Sequence, residues 1–437
     1  MEKFVIHGGI PLSGEITASG NKNAALPILA ACLLTEEPVT IHNVPRIRDT
    51  EAQLTLLERV GVEVEWTADH SVRLCAASIS DPGVDEEITS QIRASFLLAG
   101  PLLARFGEAK MPPPGGDFIG RRRLDAHLDA FRELGARVEG DRWIELSAPR
   151  DGLKACGIFM DEPSVMGTEN ALMAAALTTG PTTISNAACE PHVQDLARLL
   201  SKMGATVDGI GSNVMTVHGR KELGGAEHTV APDHIEVASF MVLAAATGGE
   251  LRIREAAPDD LVTVRRQFRR LGLQTMIEGN DVLVPPEQNL RVQDDLGDAI
   301  PKIEDGPWPA FPADLTSIAL ALATQAEGTV LIFEKMFENR LFFVDKLVAM
   351  GARITLCDPH RAIVSGPSRL HGERVESPDI RAGMAMLIAA LAAEGTSEIG
   401  NIRQIDRGYE RIDERLRGLG AHIERVSSER ESAGVEA

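Results

Sequence analysis

The chain has 437 residues, a formal net charge of −20, 44% hydrophobic residues and only 4% aromatic ones. That length allows two to three domains, with cores built mainly from Ala, Leu, Ile and Val. Such acidity is a poor match for nucleic acid or an anionic membrane, and the five scattered cysteines (Cys32, Cys75, Cys156, Cys189, Cys357) lack any CxxC pair, so neither disulfides nor a zinc site is expected and a cytoplasmic setting fits.

The first ten residues, MEKFVIHGGI, carry no signal-peptide pattern and contain a predicted strand, KFVIHGG. An Ala-rich, nearly all-apolar helix then recurs six times. The copies are NKNAALPILAACLL (21–34), IRASFLLAGPLLARF (92–106), TENALMAAALTT (168–179), IEVASFMVLAAAT (235–247), LTSIALALATQ (315–325) and IRAGMAMLIAALAA (380–393). A helix apolar on every side is a buried one, and these are too short to span a bilayer. Each is followed by a short strand after a Gly or Pro turn, an amphipathic helix, and a strand pair that begins at a glycine. Those glycines are Gly61, Gly135, Gly204, Gly272, Gly351 and Gly420, in phrases such as LERVGVEVEW and LVAMGARITL. They stand 74, 69, 68, 79 and 69 residues apart, so one unit of about 70 residues is repeated six times. Each glycine suits a left-handed helix C-cap. The polar residues 426–437 read as a disordered tail.

Helices inside and sheets outside invert the usual α/β layering. Three units around a pseudo-threefold axis bury three helices together, and six units make two lobes. The expected fold is therefore a two-lobed, inside-out α/β barrel. The N-terminal lobe covers 22–231 and carries the loop 113–122. A discontinuous C-terminal lobe combines 1–21, through its opening strand, with 232–425. A cleft between the lobes is the default ligand site.

Chemistry is expected where the copies differ. The buried helices start with Lys22, Arg93, Thr168, His234, Asp314 and Arg381, and the amphipathic ones with Arg48, Arg122, Glu190, Asp259, Arg340 and Arg407. Helix N-termini favour anions, so repeated cations there do not serve the helix. Any single one reads as a solvated or salt-bridged charge. Together, in an acidic protein, they point to anion binding. Asp314 alone reads equally well as an N-cap, and Asp117, after Gly-Gly, as an ordinary turn residue.

Several long motifs carry a resemblance. SGNKNAALPIL (19–29), NVPRIRD (43–49), PGGDFIGRRRLDAH (114–127), FPADL (311–315), FENR (337–340) and IDRGYERI (405–412) resemble the UDP-N-acetylglucosamine 1-carboxyvinyltransferases, the enolpyruvyl transferases of peptidoglycan synthesis. The resemblance runs from residue 1 to about 426. It implies the inside-out two-lobed fold, lobes that close on substrate, and no metal or cofactor. It implies a monomer that binds phosphoenolpyruvate and UDP-N-acetylglucosamine. Lys22 and Asn23 would bind phosphoenolpyruvate, with Arg122 and Arg407 near its charged groups, since guanidinium forks suit phosphate and carboxylate. Arg93, the segment Arg122, Arg123, Leu124, Asp125 and Ala126, the segment Glu162, Pro163, Ser164 and Val165, and Asp314 and Met336 would hold the sugar nucleotide. Arg340 and Arg381 are added as anion-binding groups.

In the implied reaction Asp314 takes the proton of the attacking sugar hydroxyl, and Asp117 protonates the methylene carbon of phosphoenolpyruvate. Most relatives have Cys at the Asp117 position, the residue that fosfomycin alkylates. Asp can serve only with a raised pKa, which a dianionic substrate favours and the Arg run opposes. Three residues depart from the family pattern on the sugar-nucleotide side: Arg123 for a nonpolar residue, His192 in Glu-Pro-His, and Met166 after Ser-Val. They leave open a different nucleotide or sugar acceptor, or a paralogue that binds without turnover.

Overall fold

The computed structural model describes residues 2–79, 84–117, 119–140 and 142–427. The expected tail lies outside these residues except for Val426 and Ser427, which extend the strand His422–Ser427. The chain divides into two compact units. One comprises Met1–Ser19, Phe118–Arg121 and Pro232–Ala437, the other Gly20–Asp117 and Arg122–Ala231. Each has its own hydrophobic core.

The core of the first unit is a trio of buried helices, His234–Thr247, Thr316–Gln325 and Ile380–Ala392, which pack against one another. Their Ala and Gly positions allow this close approach. The second unit repeats the plan with Lys22–Ala30, Ala99–Phe106 and Val165–Ala175. The first of these continues as a 3-10 turn, Ala31–Leu34, and the second is preceded by another, Arg93–Leu98. Among the described residues six small sheets accompany these helices, and none of them closes into a barrel. Their strands bury alternate residues: Leu251 and Ile253 are inside, while Arg252 and Arg254 on the same strand are not.

The N-terminal strand Glu2–His7 lies between Thr396–Gly400 and His422–Ser427, antiparallel to both. Gly14–Thr17 likewise joins Leu251–Arg254, in parallel. The N-terminal segment is thus built into sheets formed by the second half of the chain. All six repeat glycines have positive φ, between 89° and 113°, where a side chain would be strained. They end the amphipathic helices and aim the chain back along the sheet.

Two features differ from the sequence expectation. Three repeats carry an additional edge strand before the buried helix, Gly157–Phe159, Lys302–Glu304 and Arg374–Glu376, parallel to the strand after it. The second repeat has only three described strands. A short helix, Glu86–Thr89, stands before its buried helix, and the Pro-rich loop runs beside it. The Gly115 N–H donates to Thr89 O at 3.1 Å, and a Cβ on Gly115 would lie 1.7 Å from Ser90 O. The second correction concerns the loop 113–122, expected wholly in the N-terminal lobe. Residues 119–121 belong by their contacts to the other unit. Arg121 N–H donates to Glu338 Oε2 at 3.1 Å, and Ile119 O accepts from Asn339 N–H at 3.0 Å. Gly120 allows this contact: its φ is +143°, and a Cβ would collide with Glu338.

Candidate active site

In the unit Gly20–Asp117 plus Arg122–Ala231, Asn21 caps the helix Lys22–Ala30 by accepting from the N–H groups of Asn23 and Ala24 at 2.9 and 3.2 Å. Lys22 therefore sits in the first turn, where only a carboxylate partner makes its burial tolerable. Asp49, in the first turn of the helix Arg48–Val60, supplies it at 2.7 Å, and both side chains are buried. Asn23 is half-buried beside Lys22.

Arg93 does something the sequence did not suggest. Its Nη2 donates to the backbone carbonyls of Arg122 at 2.8 Å and Arg123 at 3.1 Å, so it holds the returning limb of the loop. Burial and the nearby Arg122 charge lower its pKa to about 10. Behind it, His127 is kept neutral. Burial, with help from Arg93, pulls its pKa down to about 3, and Asn170 bonds its Nδ1 at 2.9 Å. Asn170 also donates to Phe96 O and accepts from Gly100 N–H, tying the helix Val165–Ala175 to the base of Arg93.

The segments 122–126 and 162–165 meet. Ala126 is buried, and a Cβ on Gly167 would lie 3.2 Å from its methyl group. Leu124 is half-buried at the start of the helix Asp125–Glu133. Ser164 caps the helix Val165–Ala175 by accepting from Gly167 N–H at 3.2 Å. Glu162 is exposed, and its carbonyl accepts from Ser164 N–H. Pro163 and Val165 are half-buried around that turn. Asp117 is half-buried at the outgoing end of the loop.

Of the three departures, Arg123 is exposed and chelated by Asp125, which raises its pKa. Met166 packs against the unit's core, and His192 is buried in the helix Pro191–Lys202.

In the other unit Asp314 is no N-cap. It lies in a 3-10 turn, Ala313–Leu315, and neither that turn nor the helix after it has a side-chain cap. Its carboxylate instead accepts from Arg340 Nη2 at 2.8 Å on one oxygen, and from Arg381 Nε and Nη2 at 3.1 and 2.9 Å on the other. Both arginines are buried. Burial opposes their charges, but Asp314 offsets it and holds both pKa values raised. Asp379 fixes the backbone of Arg381 by capping the helix Ile380–Ala392. Tyr409, the chain's one tyrosine, accepts from Arg381 Nη1 at 3.4 Å and bonds Ser239 Oγ at 3.1 Å. His234 stays neutral, its pKa near 4 because of burial and the Arg381 charge. Met336 is exposed four residues before Arg340. Arg407 ends a separate turn, Ile402–Arg407, and donates to Gln404 Oε1 at 2.9 Å.

Asp49, Asn170, Asp379 and Tyr409 were missed by sequence reasoning. Asp49 and Tyr409 lie inside quoted motifs. Asp379 is an Asp immediately before an apolar helix, a cap signal that could have been read.

The chain matches, over residues 6–416, the family described as EPSP synthase (3-phosphoshikimate 1-carboxyvinyltransferase). A UDP-N-acetylglucosamine 1-carboxyvinyltransferase from Bradyrhizobium diazoefficiens is 58% identical, covering 97% of this chain and 98% of the relative. One from Treponema denticola is 54% identical, covering 97% and 99%. Among solved structures, the enolpyruvyl transferase NikO from Streptomyces tendae aligns with a TM-score of 0.87 at 26% identity, over 98% of this chain and 99% of that one. EPSP synthase from Acinetobacter baumannii, at 19% identity and a TM-score of 0.75 over 98% and 100%, shows the shared fold. The residues gathered around Lys22 and Asp314 thus stand in a chain that belongs to the enolpyruvyl transferases, and within them to the UDP-N-acetylglucosamine 1-carboxyvinyltransferases.

Proposed function

We propose that this chain transfers the enolpyruvyl group of phosphoenolpyruvate to the 3-hydroxyl of UDP-N-acetylglucosamine and releases phosphate. The observation that carries this reading is Asp314: a carboxylate oriented by two buried arginines rather than spent on capping a helix. In the proposed addition step the sugar oxygen bonds to C2 of phosphoenolpyruvate and its proton passes to Asp314. Asp117 gives a proton to C3. In the elimination step the bond from C2 to the phosphate oxygen breaks and C3 gives a proton back to Asp117, while the proton held by Asp314 departs with the phosphate, which leaves the enol ether and inorganic phosphate. Lys22, Arg122 and Arg407 supply the positive charge a phosphorylated carboxylate needs, so the proposed route uses no metal or cofactor. The chain is proposed to act as a monomer. No helix among the described residues is long and apolar enough to cross a membrane.

Arg123, the departure that most suggested another acceptor, is occupied with Asp125, which favours the family's usual acceptor. The deciding assay is phosphate release from phosphoenolpyruvate. It should require UDP-N-acetylglucosamine and fail with other nucleotide sugars. Turnover with a different acceptor alone, or none with any, would overturn the reading.

A further inference from the structure

Asp305 and Glu334 have no part in the steps above, yet both are wholly buried, and Glu334 stands beside the Asp314 cluster's Arg340. Asp305 takes two successive backbone amides: Oδ1 accepts from Lys335 N–H and Oδ2 from Met336 N–H at 3.3 Å. Glu334 takes the next, with Oε1 accepting from Phe337 N–H at 3.1 Å. Three consecutive N–H groups therefore end on two carboxyls, a concave backbone arrangement suited to negative charge. The backbone of Glu334 is pinned in turn. Its N–H donates to His360 O at 2.8 Å, and its carbonyl bonds His360 Nδ1 at 2.7 Å. Glu334 Oε2 faces Arg340 Nε at 3.9 Å, and neither atom has a hydrogen-bond partner among the described residues.

We propose that Asp305 and Glu334 are positioning residues: a buried carboxyl pair that shapes the turn 335–340 and thereby sets Met336 and Arg340 for the sugar nucleotide, an inference that rests on the function proposed above. Two ionised carboxyls cannot both sit comfortably in such a site. Burial, resisted by Arg340 and reinforced by Asp305, pushes the Glu334 pKa up to about 8. At neutral pH it therefore carries a proton. The groups that face Glu334 are Asp305, Arg340, His360 and the Thr316 hydroxyl; beyond Arg340 stand Asp314, Asp379 and Arg381. The sign follows from the raised value. The stability Glu334 contributes is fully present below its ordinary carboxyl range and is lost as pH rises through about 8. A negative charge on Glu334 then loosens the turn.

The test uses the full chain and UDP-N-acetylglucosamine binding by calorimetry. Asp305→Asn replaces one acceptor oxygen with a donor that faces a backbone N–H. It should weaken UDP-N-acetylglucosamine binding at least about tenfold, with the KM for phosphoenolpyruvate within about twofold. The wild-type affinity should fall about fourfold from pH 7 to pH 8.5, as a group titrating near 8 requires, and Glu334→Gln should abolish that fall. Binding by Asp305→Asn within twofold of wild type, or an undiminished alkaline fall in Glu334→Gln, overturns the proposal. If Asp305→Asn does not fold, Glu334→Gln decides alone. If the wild type does not bind UDP-N-acetylglucosamine, the functional reading fails, and thermal unfolding judges the pair by itself. Wild type should then lose more stability than Glu334→Gln between pH 7 and pH 9, and identical curves refute the clamp.

Discussion

In the unit that holds Asp314, guanidiniums meet a carboxylate; in the unit that holds Arg93, a guanidinium meets two backbone carbonyls. The first arrangement fixes charged side chains against one another: Arg340 and Arg381 on Asp314, with Asp379 and Tyr409 behind Arg381. The second fixes a stretch of chain, because Arg93 holds residues 122 and 123 by their carbonyls. A buried ion pair is costly to break, since the abandoned charge has no water to turn to. A loop limb held by two hydrogen bonds loses less when they go. Lys22 and Asp49 show that the second unit also uses a buried pair, at the start of its first helix.

The largest effect should come from Asp314→Asn. It leaves two buried guanidiniums facing a neutral amide, a loss of about 3–5 kcal/mol by the usual cost of an orphaned buried charge. Turnover should fall along with thermal stability. If unfolding temperature and kcat both hold, the cluster is decoration.

Asp117→Asn, on the loop, should fold normally yet lose about 10²–10⁴ in kcat, because an amide cannot act as the acid. The native enzyme should be active and resist fosfomycin, since a carboxylate is a weak nucleophile toward an epoxide. Asp117→Cys should gain sensitivity. Rapid inactivation of the native protein by the drug would move the reactive residue to one of the five cysteines.

Lys22→Ala should weaken use of phosphoenolpyruvate by roughly 1.5–3 kcal/mol, the worth of a charge-assisted bond. It also strands the buried Asp49, so its stability should drop, and Lys22→Ala with Asp49→Asn should recover the stability but not the substrate. Recovery of both would make the pair purely structural.

Arg93→Ala should raise the KM for UDP-N-acetylglucosamine about tenfold with little change in melting temperature, by freeing residues 122 and 123. A loss of stability like that of Asp314→Asn would erase the contrast drawn between the two units. Smallest of all is Arg123→Pro. With its guanidinium exposed and tied to Asp125, both KM values should stay within about twofold, the scale of a surface ion pair. A selective change for the sugar nucleotide would restore Arg123 as a specificity residue.

What the amino-acid sequence determined by itself was periodic. Six glycines at the ends of amphipathic helices, and six apolar helices with no polar face, specify six copies of one unit and a helical interior, because turn chemistry and burial act over a few residues. The membership of the opening strand in the last sheet was also legible, since it precedes the first helix as the other central strands follow theirs. Edge strands such as Gly157–Phe159 were not, being too short for alternation to register. The site divided in the same way. Lys22 and Arg381 stand in the first turns of buried helices, where cations in an acidic chain are conspicuous, and Asp314 lies in the turn just before one; Arg340, expected at a helix start, lies instead in a turn ahead of the helix Val344–Ala349. What each one touches was decided by tertiary structure: Asp314 bonds Arg381 across 67 residues, Arg93 reaches carbonyls 29 and 30 residues away, and Asp305 and Glu334 combine on three amides. Such partnerships depend on which side chains folding removes from water together, and local sequence carries no record of that.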